Sequence, residues 1–321
     1  MVAESILRAG LKTTLTTTDL VGLGEKYDGK VRDCYVGKSE IHLVATDRLS
    51  AFDMVVTTLP FKGQVLNRLS AWWFEQTANV VPNHLLGTPD PNVTRATRCD
   101  PLPIELVVRA YVTGVTSTSI WTAYERGERV FCGNRLPDGL RKNEKLPAPI
   151  LTPSTKAPKG AHDKSVSRGE ILAEGRISEA DFDRCAEMAM TLFAEGSRIA
   201  ARSGIILVDT KYEVGRKPDG TIVIMDEIHT PDSSRFWYEK SYAETFGAGT
   251  DPEGLDKEYV RRWLAREANY RGDGPPPIVP DDVRIEAARR YIEAFERLTG
   301  TTFEPDTRDP ASRIPKNLGL S

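Results

Sequence analysis

The chain has 321 residues, 40% of them hydrophobic, enough for one large or two modest packed domains. Its 43 lysines and arginines nearly balance 46 aspartates and glutamates, so no overall charge excess recruits nucleic acid or a membrane surface. The opening residues 1–11 include Glu4 and Arg8, and no later run approaches the roughly 20 apolar residues of a bilayer span, so a soluble, cytoplasmic protein is expected.

In chain order, residues 30–36 and 41–46 are rich in β-branched and aromatic residues around Gly37-Lys38-Ser39-Glu40 and read as a hairpin. Residues 63–79 read as a helix, and 105–113 as a buried strand ended by Gly114. The proline-dense stretch 147–160 reads as a working loop. A helix is predicted over 178–203, capped by Ser178 and halted by Gly204. Two strands without glycine follow, 205–214 and 221–228, joined through Lys217-Pro218-Asp219-Gly220. Helices are expected over 255–267 and 281–298, with a Gly/Pro-rich linker over 272–280 between them. Hairpins followed by helices favour an α+β protein, here expected as two lobes with a cleft and a boundary near Thr113. Cys34, Cys99, Cys132 and Cys185 form no close pair and read as reduced thiols.

The hairpin around Pro218-Asp219-Gly220 carries the densest chemistry. Alternation along its first strand puts Asp209, Lys211 and Glu213 on one face. A turn centred on Pro218-Asp219 sets Asp226 opposite Lys211 and diagonal to Glu213. The converging carboxylates suit a magnesium–nucleotide site, and a solvated cross-strand ion pair explains them equally well. Asp28-Gly29-Lys30-Val31-Arg32-Asp33 sets a glycine and two alternating cations at a strand start, which suits a polyphosphate although no P-loop is present; a solvent-facing basic strand is the alternative. Asp47-Arg48-Leu49-Ser50-Ala51-Phe52-Asp53 reads as a loop after a strand, where ligand contacts gather. Arg109, inside an apolar strand, requires an anionic partner, either a structural carboxylate or a substrate group. The segment Thr152-Pro153-Ser154-Thr155-Lys156, followed by His162-Asp163, reads as a phosphate wrap, a lid or a surface loop. For His229 in Asp226-Glu227-Ile228-His229-Thr230-Pro231-Asp232-Ser233-Ser234-Arg235, a satisfied structural histidine is expected.

Gly-Lys-Val-Arg-Asp, Asp-Arg-Leu-Ser-Ala-Phe-Asp, Thr-Pro-Ser-Thr-Lys-Ala with His-Asp, Val-Asp-Thr-Lys-Tyr-Glu and Asp-Glu-Ile-His-Thr-Pro-Asp-Ser-Ser-Arg stand here in that order. Together they closely resemble the phosphoribosylaminoimidazole-succinocarboxamide synthases, the SAICAR synthetase family. The resemblance implies a two-lobed fold related to ATP-grasp enzymes and the protein-kinase nucleotide lobe. Residues 1–113 would form the nucleotide-binding lobe, and 114–321 an ATP-grasp-like lobe with C-terminal helices. It implies ATP-dependent ligation of L-aspartate to carboxyaminoimidazole ribonucleotide (CAIR) through an acyl phosphate, with Mg2+. By the same resemblance Gly29, Lys30 and Arg32 lie near ATP phosphates, Glu213 and Asp226 bind magnesium, and Lys211 stands beside the reacting groups. Arg109, Thr155, Lys156, Asp232 and Arg235 would contact substrate, with Asp53 and Asp209 positioning polar groups. Many relatives place Gly-Ser after the arginine-bearing strand, whereas this chain reads Gly114-Val115-Thr116-Ser117, which moves the expected hydroxyl contact to Thr116 or Ser117. A ligase acting on another carboxylate and a nucleotide-binding regulator are the competing readings.

Overall fold

The expected first hairpin forms as Arg32–Val36 and Glu40–Ala45, with Val36 opposite Ile41. In the computed structural model, which describes residues 2–116, 118–156 and 164–320, this hairpin lies within a five-stranded antiparallel sheet. Glu25–Asp28 extends it on one side, and Val93–Thr97 and Leu85–Asp90 on the other. The segment expected as a loop at 47–53 is instead half of a second hairpin, Arg48–Ala51 with Met54–Thr58. Phe52 and Asp53 form its two-residue turn, both at positive φ, the conformation that matches the twist of the flanking strands.

The second sheet centres on Ile205–Arg216, flanked on one side by Asp100–Val112 and on the other by Ile222–Met225 and Ser234–Tyr238. Asp100–Val112 is longer than expected and belongs wholly to this sheet. The central strand also runs past the expected end through Gly215, where a Cβ would lie 2.6 Å from Met225 Sδ. The 147–160 stretch, expected as a loop, begins inside the edge strand Glu144–Leu151 and includes the short strand Ser154–Thr155, while its residues 157–160 lie outside the described residues; the Glu144–Leu151 ladder shifts register between Lys145 and Ile150, across Pro147 and Pro149. Proline lacks the N–H a ladder needs, so an edge is where a strand tolerates it.

Helix Glu179–Ala201, capped by Ser178 as expected, packs against the second sheet, and Lys62–Gln76 packs against Asp281–Thr299. The expected helix at 255–267 is shorter, Glu258–Arg266, because the Leu255 N–H bonds Phe236 O and the Asp256 carboxylate takes the Phe236 and Glu258 N–H groups. The four cysteines are free thiols. Among the described residues, no helix is long and apolar enough to cross a membrane.

His229 is fully buried, its Nε2 paired with the Tyr212 hydroxyl and its ring edge-on to Trp73 at 4.7 Å between centroids. It is a buried structural histidine, but not the fully satisfied one expected: its Nδ1 is buried with no hydrogen-bond partner among the described residues. The ring fits because residue 196 of the facing helix is glycine: a Cβ there would sit 2.3 Å from His229 Cε1. Gly196→Ala gains about 1 kcal/mol of helix propensity, but overpacking costs about 1–3 kcal/mol. The variant should unfold at lower denaturant; a higher midpoint would show that the helix and histidine separate freely.

Burial pushes His229 down to about 3 and His84 down to about 4. An unfolded histidine titrates near 6.5, so each contributes stability that is fully present above that pH and is lost as pH falls toward the folded value. In histidine-selective nitrogen NMR at pH 5, both rings should remain neutral. Titration of either ring near 6.5 would contradict this burial.

Candidate active site

Every second side chain of two neighbouring strands shares a sheet face. On one face of the Asp100–Val112 and Ile205–Arg216 pair, Arg109 stands opposite Asp209, Val107 opposite Lys211 and Glu105 opposite Glu213. Two carboxylates directly opposed across strands repel unless a cation intervenes. Lys211 is that cation, with Nζ 2.7 Å from Glu105 Oε1 and 2.8 Å from Glu213 Oε1. Lys156 Nζ lies 2.6 Å from the other Glu213 oxygen, and the Ser154 hydroxyl donates to Glu105 at 3.2 Å. Burial pushes Glu213 up, but Lys211 and Lys156 outweigh it and hold the carboxyl well below the usual range. Burial likewise disfavours the Lys211 ammonium, while Glu213, Glu105 and Asp226 hold its pKa well above the ordinary value. Glu105 was absent from the sequence-derived site. Its signal was the one that drew attention to Arg109, an ionisable residue in an apolar strand.

The observed hairpin register differs by one residue from the expected one. Glu213 pairs with Met225 and Arg216 with Ile222, because the Lys217 N–H closes the turn on Thr221 O. A one-residue slip by itself sends a side chain to the opposite face. The strand ends at Met225, however, and Asp226 adopts φ 69°, which breaks the alternation. Its carboxylate pairs with Arg32 Nη1 and feels Glu213 and Lys211 electrostatically. Burial, opposed by Arg32 and assisted by Glu213 and Glu227, pushes Asp226 up to about 6. Arg32 Nη2 reaches Glu227 at 2.7 Å, so this one guanidinium joins the first sheet to the end of the second.

The two early motifs assemble on each other. Arg48 donates to the carbonyls of Gly29 and Lys30, each at 3.0 Å, and to Asp33 Oδ1 at 3.0 Å. Asp33 is fully buried and also accepts the Thr18 N–H at 2.7 Å; these donors outweigh burial and lower its pKa. Gly29 turns tightly here: its N–H donates to Arg32 O at 2.8 Å, and a Cβ would press within 3.0 Å of that oxygen. Lys30 pairs with Asp53 at 2.6 Å, and both side chains are more than half exposed, at 60% and 56%.

One step along the same face, Asp209 Oδ2 receives Arg109 Nη1 at 2.8 Å and Arg235 Nη1 as well. Arg109 Nε donates to Thr152 Oγ1 at 2.9 Å. Burial lowers the Arg109 pKa, whereas Asp209 and Glu258 hold that of Arg235 high against the same cost. Two guanidiniums share one carboxylate, leaving an excess positive charge suited to a phosphate or carboxylate. Gly114, at φ 108°, comes close to Arg235: a Cβ would lie 3.5 Å from Nη2.

Other predicted contacts lie elsewhere. Both Asp232 oxygens are engaged inside the protein, by Lys62 Nζ at 2.7 Å and the Tyr291 hydroxyl at 2.7 Å, so Asp232 faces helix Asp281–Thr299 rather than the ladder. Thr155 is buried, and its hydroxyl accepts the Lys164 N–H at 3.3 Å, closing the loop base. Ser117, His162 and Asp163 lie outside the described residues. Among the described residues no group of three His, Cys, Asp or Glu is arranged for a metal ion. Glu213 and Asp226, the carboxylates expected to bind magnesium, are engaged here by Lys211, Lys156 and Arg32, and two carboxylates suit magnesium only when phosphate oxygens complete the set.

A family model described as SAICAR synthetase matches residues 25–277. The chain is 49% identical over 308 residues to a protein of Mesorhizobium japonicum named putative phosphoribosylaminoimidazole-succinocarboxamide synthase 2, covering 95% of this chain and 98% of that one. It is 47% identical to a chloroplastic phosphoribosylaminoimidazole-succinocarboxamide synthase of Arabidopsis thaliana, covering 97% of this chain and 77% of that one. Among solved structures, SAICAR synthase from Saccharomyces cerevisiae complexed with SAICAR superposes with a TM-score of 0.77 at 32% identity, covering 91% of this chain and 100% of that one. A SAICAR synthetase in complex with ADP superposes at 0.67 with 25% identity, over 88% of this chain and 100% of that one. On the extent of the family match and the identity to these relatives, the chain belongs to the SAICAR synthetase family.

Proposed function

We propose that this chain joins L-aspartate to CAIR with ATP, giving SAICAR, ADP and phosphate, a step of de novo purine biosynthesis. The observation that carries this reading is the shared sheet face, where the Arg109–Asp209–Arg235 clamp stands beside the Glu105–Lys211–Glu213–Asp226 cluster. Alternate residues on a strand are roughly 7 Å apart, a separation that suits the two ends of one small substrate.

A carboxylate oxygen of CAIR attacks the γ-phosphorus and ADP leaves. The aspartate amine then attacks the acyl carbon, its proton is released, and phosphate departs. Gly29, Lys30 and Arg32 hold the polyphosphate. Lys211 and Lys156, already drawn to Glu213, stabilise negative charge on the transferring phosphoryl group. Magnesium would be held by Glu213 and Asp226 with the nucleotide phosphates, where it neutralises phosphate charge. Arg109 and Arg235 bind an anionic group of CAIR, and Asp209 fixes their orientation. Thr155, paired with Ile104 of the Asp100–Val112 strand, is assigned to the same substrate, as is Ser117 on the motif alone, and Asp53 to the rim beside Lys30. Asp232 acts by anchoring the segment that carries Asp226 and Arg235, since its own oxygens are engaged.

A cytoplasmic location and a relationship to ATP-grasp enzymes and the kinase nucleotide lobe belong to the same reading. So does a division into two lobes, for which the pairing of Asp100–Val112 with the second sheet favours a divide ahead of residue 100 rather than at Thr113.

Coupled ADP release should require ATP, magnesium, L-aspartate and CAIR together, with the succinocarboxamide product identified by mass spectrometry. Tight ATP binding without product would point to another carboxylate substrate or to a regulator. Glu213→Gln and Asp226→Asn should each lower turnover by about 10²–10³-fold while leaving the folded far-ultraviolet spectrum unchanged. Near-normal turnover of both at saturating magnesium would remove them from the metal site.

A further inference from the structure

A second charged concavity lies apart from the ladder. It has a volume of about 470 Å³ and is lined by Arg141, Lys142, Arg262 and Arg266, with Asp251 the acid among its lining residues. That size is within the range of small-molecule pockets, roughly 300–1,000 Å³. Each cation has a partner in the wall of the hollow. The Arg141 guanidinium lies over the Phe246 ring at 4.1 Å, and Arg262 donates to Pro252 O at 3.3 Å. Lys142 and Arg266 meet Asp251 at 2.6 Å and 3.3 Å. Cations already fixed around a hollow lose little side-chain freedom when an anion enters, and one carboxylate cannot balance four of them.

None of the clamp or ladder residues lines this concavity. Its wall nevertheless touches the strand that carries Arg109. The Tyr242 hydroxyl donates to Asn143 O at 2.8 Å, and the Tyr242 ring packs edge-on against Tyr111 at 5.4 Å. We infer that the concavity bounded by Arg141, Lys142, Arg262 and Arg266 is a second anion site that takes a phosphorylated small molecule, separate from the catalytic cleft. Phosphate accepts hydrogen bonds from several guanidiniums at once, and the hollow has room beside them for the organic part of a small ester.

Calorimetric titration of the full chain with ribose 5-phosphate, and separately with inorganic phosphate, tests the site. Three proteins are compared: the native chain, an Arg262→Gln/Arg266→Gln variant, and an Arg109→Gln/Arg235→Gln variant that disables the proposed clamp. The native and clamp-disabled proteins should bind the ester saturably, and the Arg262→Gln/Arg266→Gln protein should bind at least about tenfold more weakly. Turnover of the Arg262→Gln/Arg266→Gln protein without added ester should match the native chain. Tighter binding of the ester than of phosphate would show that the organic part is recognised, and equal binding would show that the site reads the anion alone. Binding that survives in the Arg262→Gln/Arg266→Gln protein but vanishes in the clamp variant, or no binding to the native chain at millimolar concentrations, would overturn the proposal. Because the clamp variant alone interrogates the catalytic reading, the two can fail independently.

Discussion

Two glutamates, Glu105 and Glu213, face each other on adjacent strands, and their repulsion sets the terms for the surrounding site. A sheet accepts such a pair only if positive charge lies between them, and Lys211 provides it from the same face. Once Lys211 is partly buried there, its own desolvation requires the carboxylates, so the three groups stabilise one another. A site built this way has its charges fixed before substrate arrives. In phosphoryl transfer, where the protein contributes mainly positioning and electrostatics, prior fixation is the useful property.

The same logic extends outward in two directions. Arg32 reaches from the first sheet to Asp226 and Glu227, so the site is completed only when the sheets come together. Arg48 and Asp33 hold the backbone behind Arg32, which turns two short motifs far from the hairpin into its support. At the other end, Asp232 is clasped by Lys62 and by Tyr291 of helix Asp281–Thr299. The helix Asp281–Thr299 is therefore tied to the segment bearing Asp226 and Arg235, so it does more than fill core volume.

Asp226 illustrates how a sound sequence argument can reach the right neighbourhood by the wrong route. Alternation and an assumed turn placed it across from Lys211, but the real turn is one residue longer, and strict alternation would then have hidden it. A left-handed residue at the strand end returns its carboxylate toward Arg32 and Glu213. Such a conformation costs a non-glycine residue energy, and it persists where surrounding contacts over-determine it.

The sequence by itself determined the elements whose signals are local. Ser178 and Gly204 bound a long helix, the 37–40 turn joins a hairpin, and alternation groups Asp209, Lys211 and Glu213 on one face. Its ordered motifs also pointed to the family, because those residue combinations are specific even without coordinates. What it did not determine depends on pairing between segments far apart in the chain. The Glu105–Glu213 opposition spans 108 positions, as the register shows, and the Arg32–Asp226 bridge spans 194. Neither leaves a trace in local periodicity. Tertiary structure also decided which charged residues face the ladder and which, like Asp232, Asp33 and Arg48, are consumed in holding it. A carboxylate reads the same in sequence either way, and only its partners distinguish a ligand from a brace.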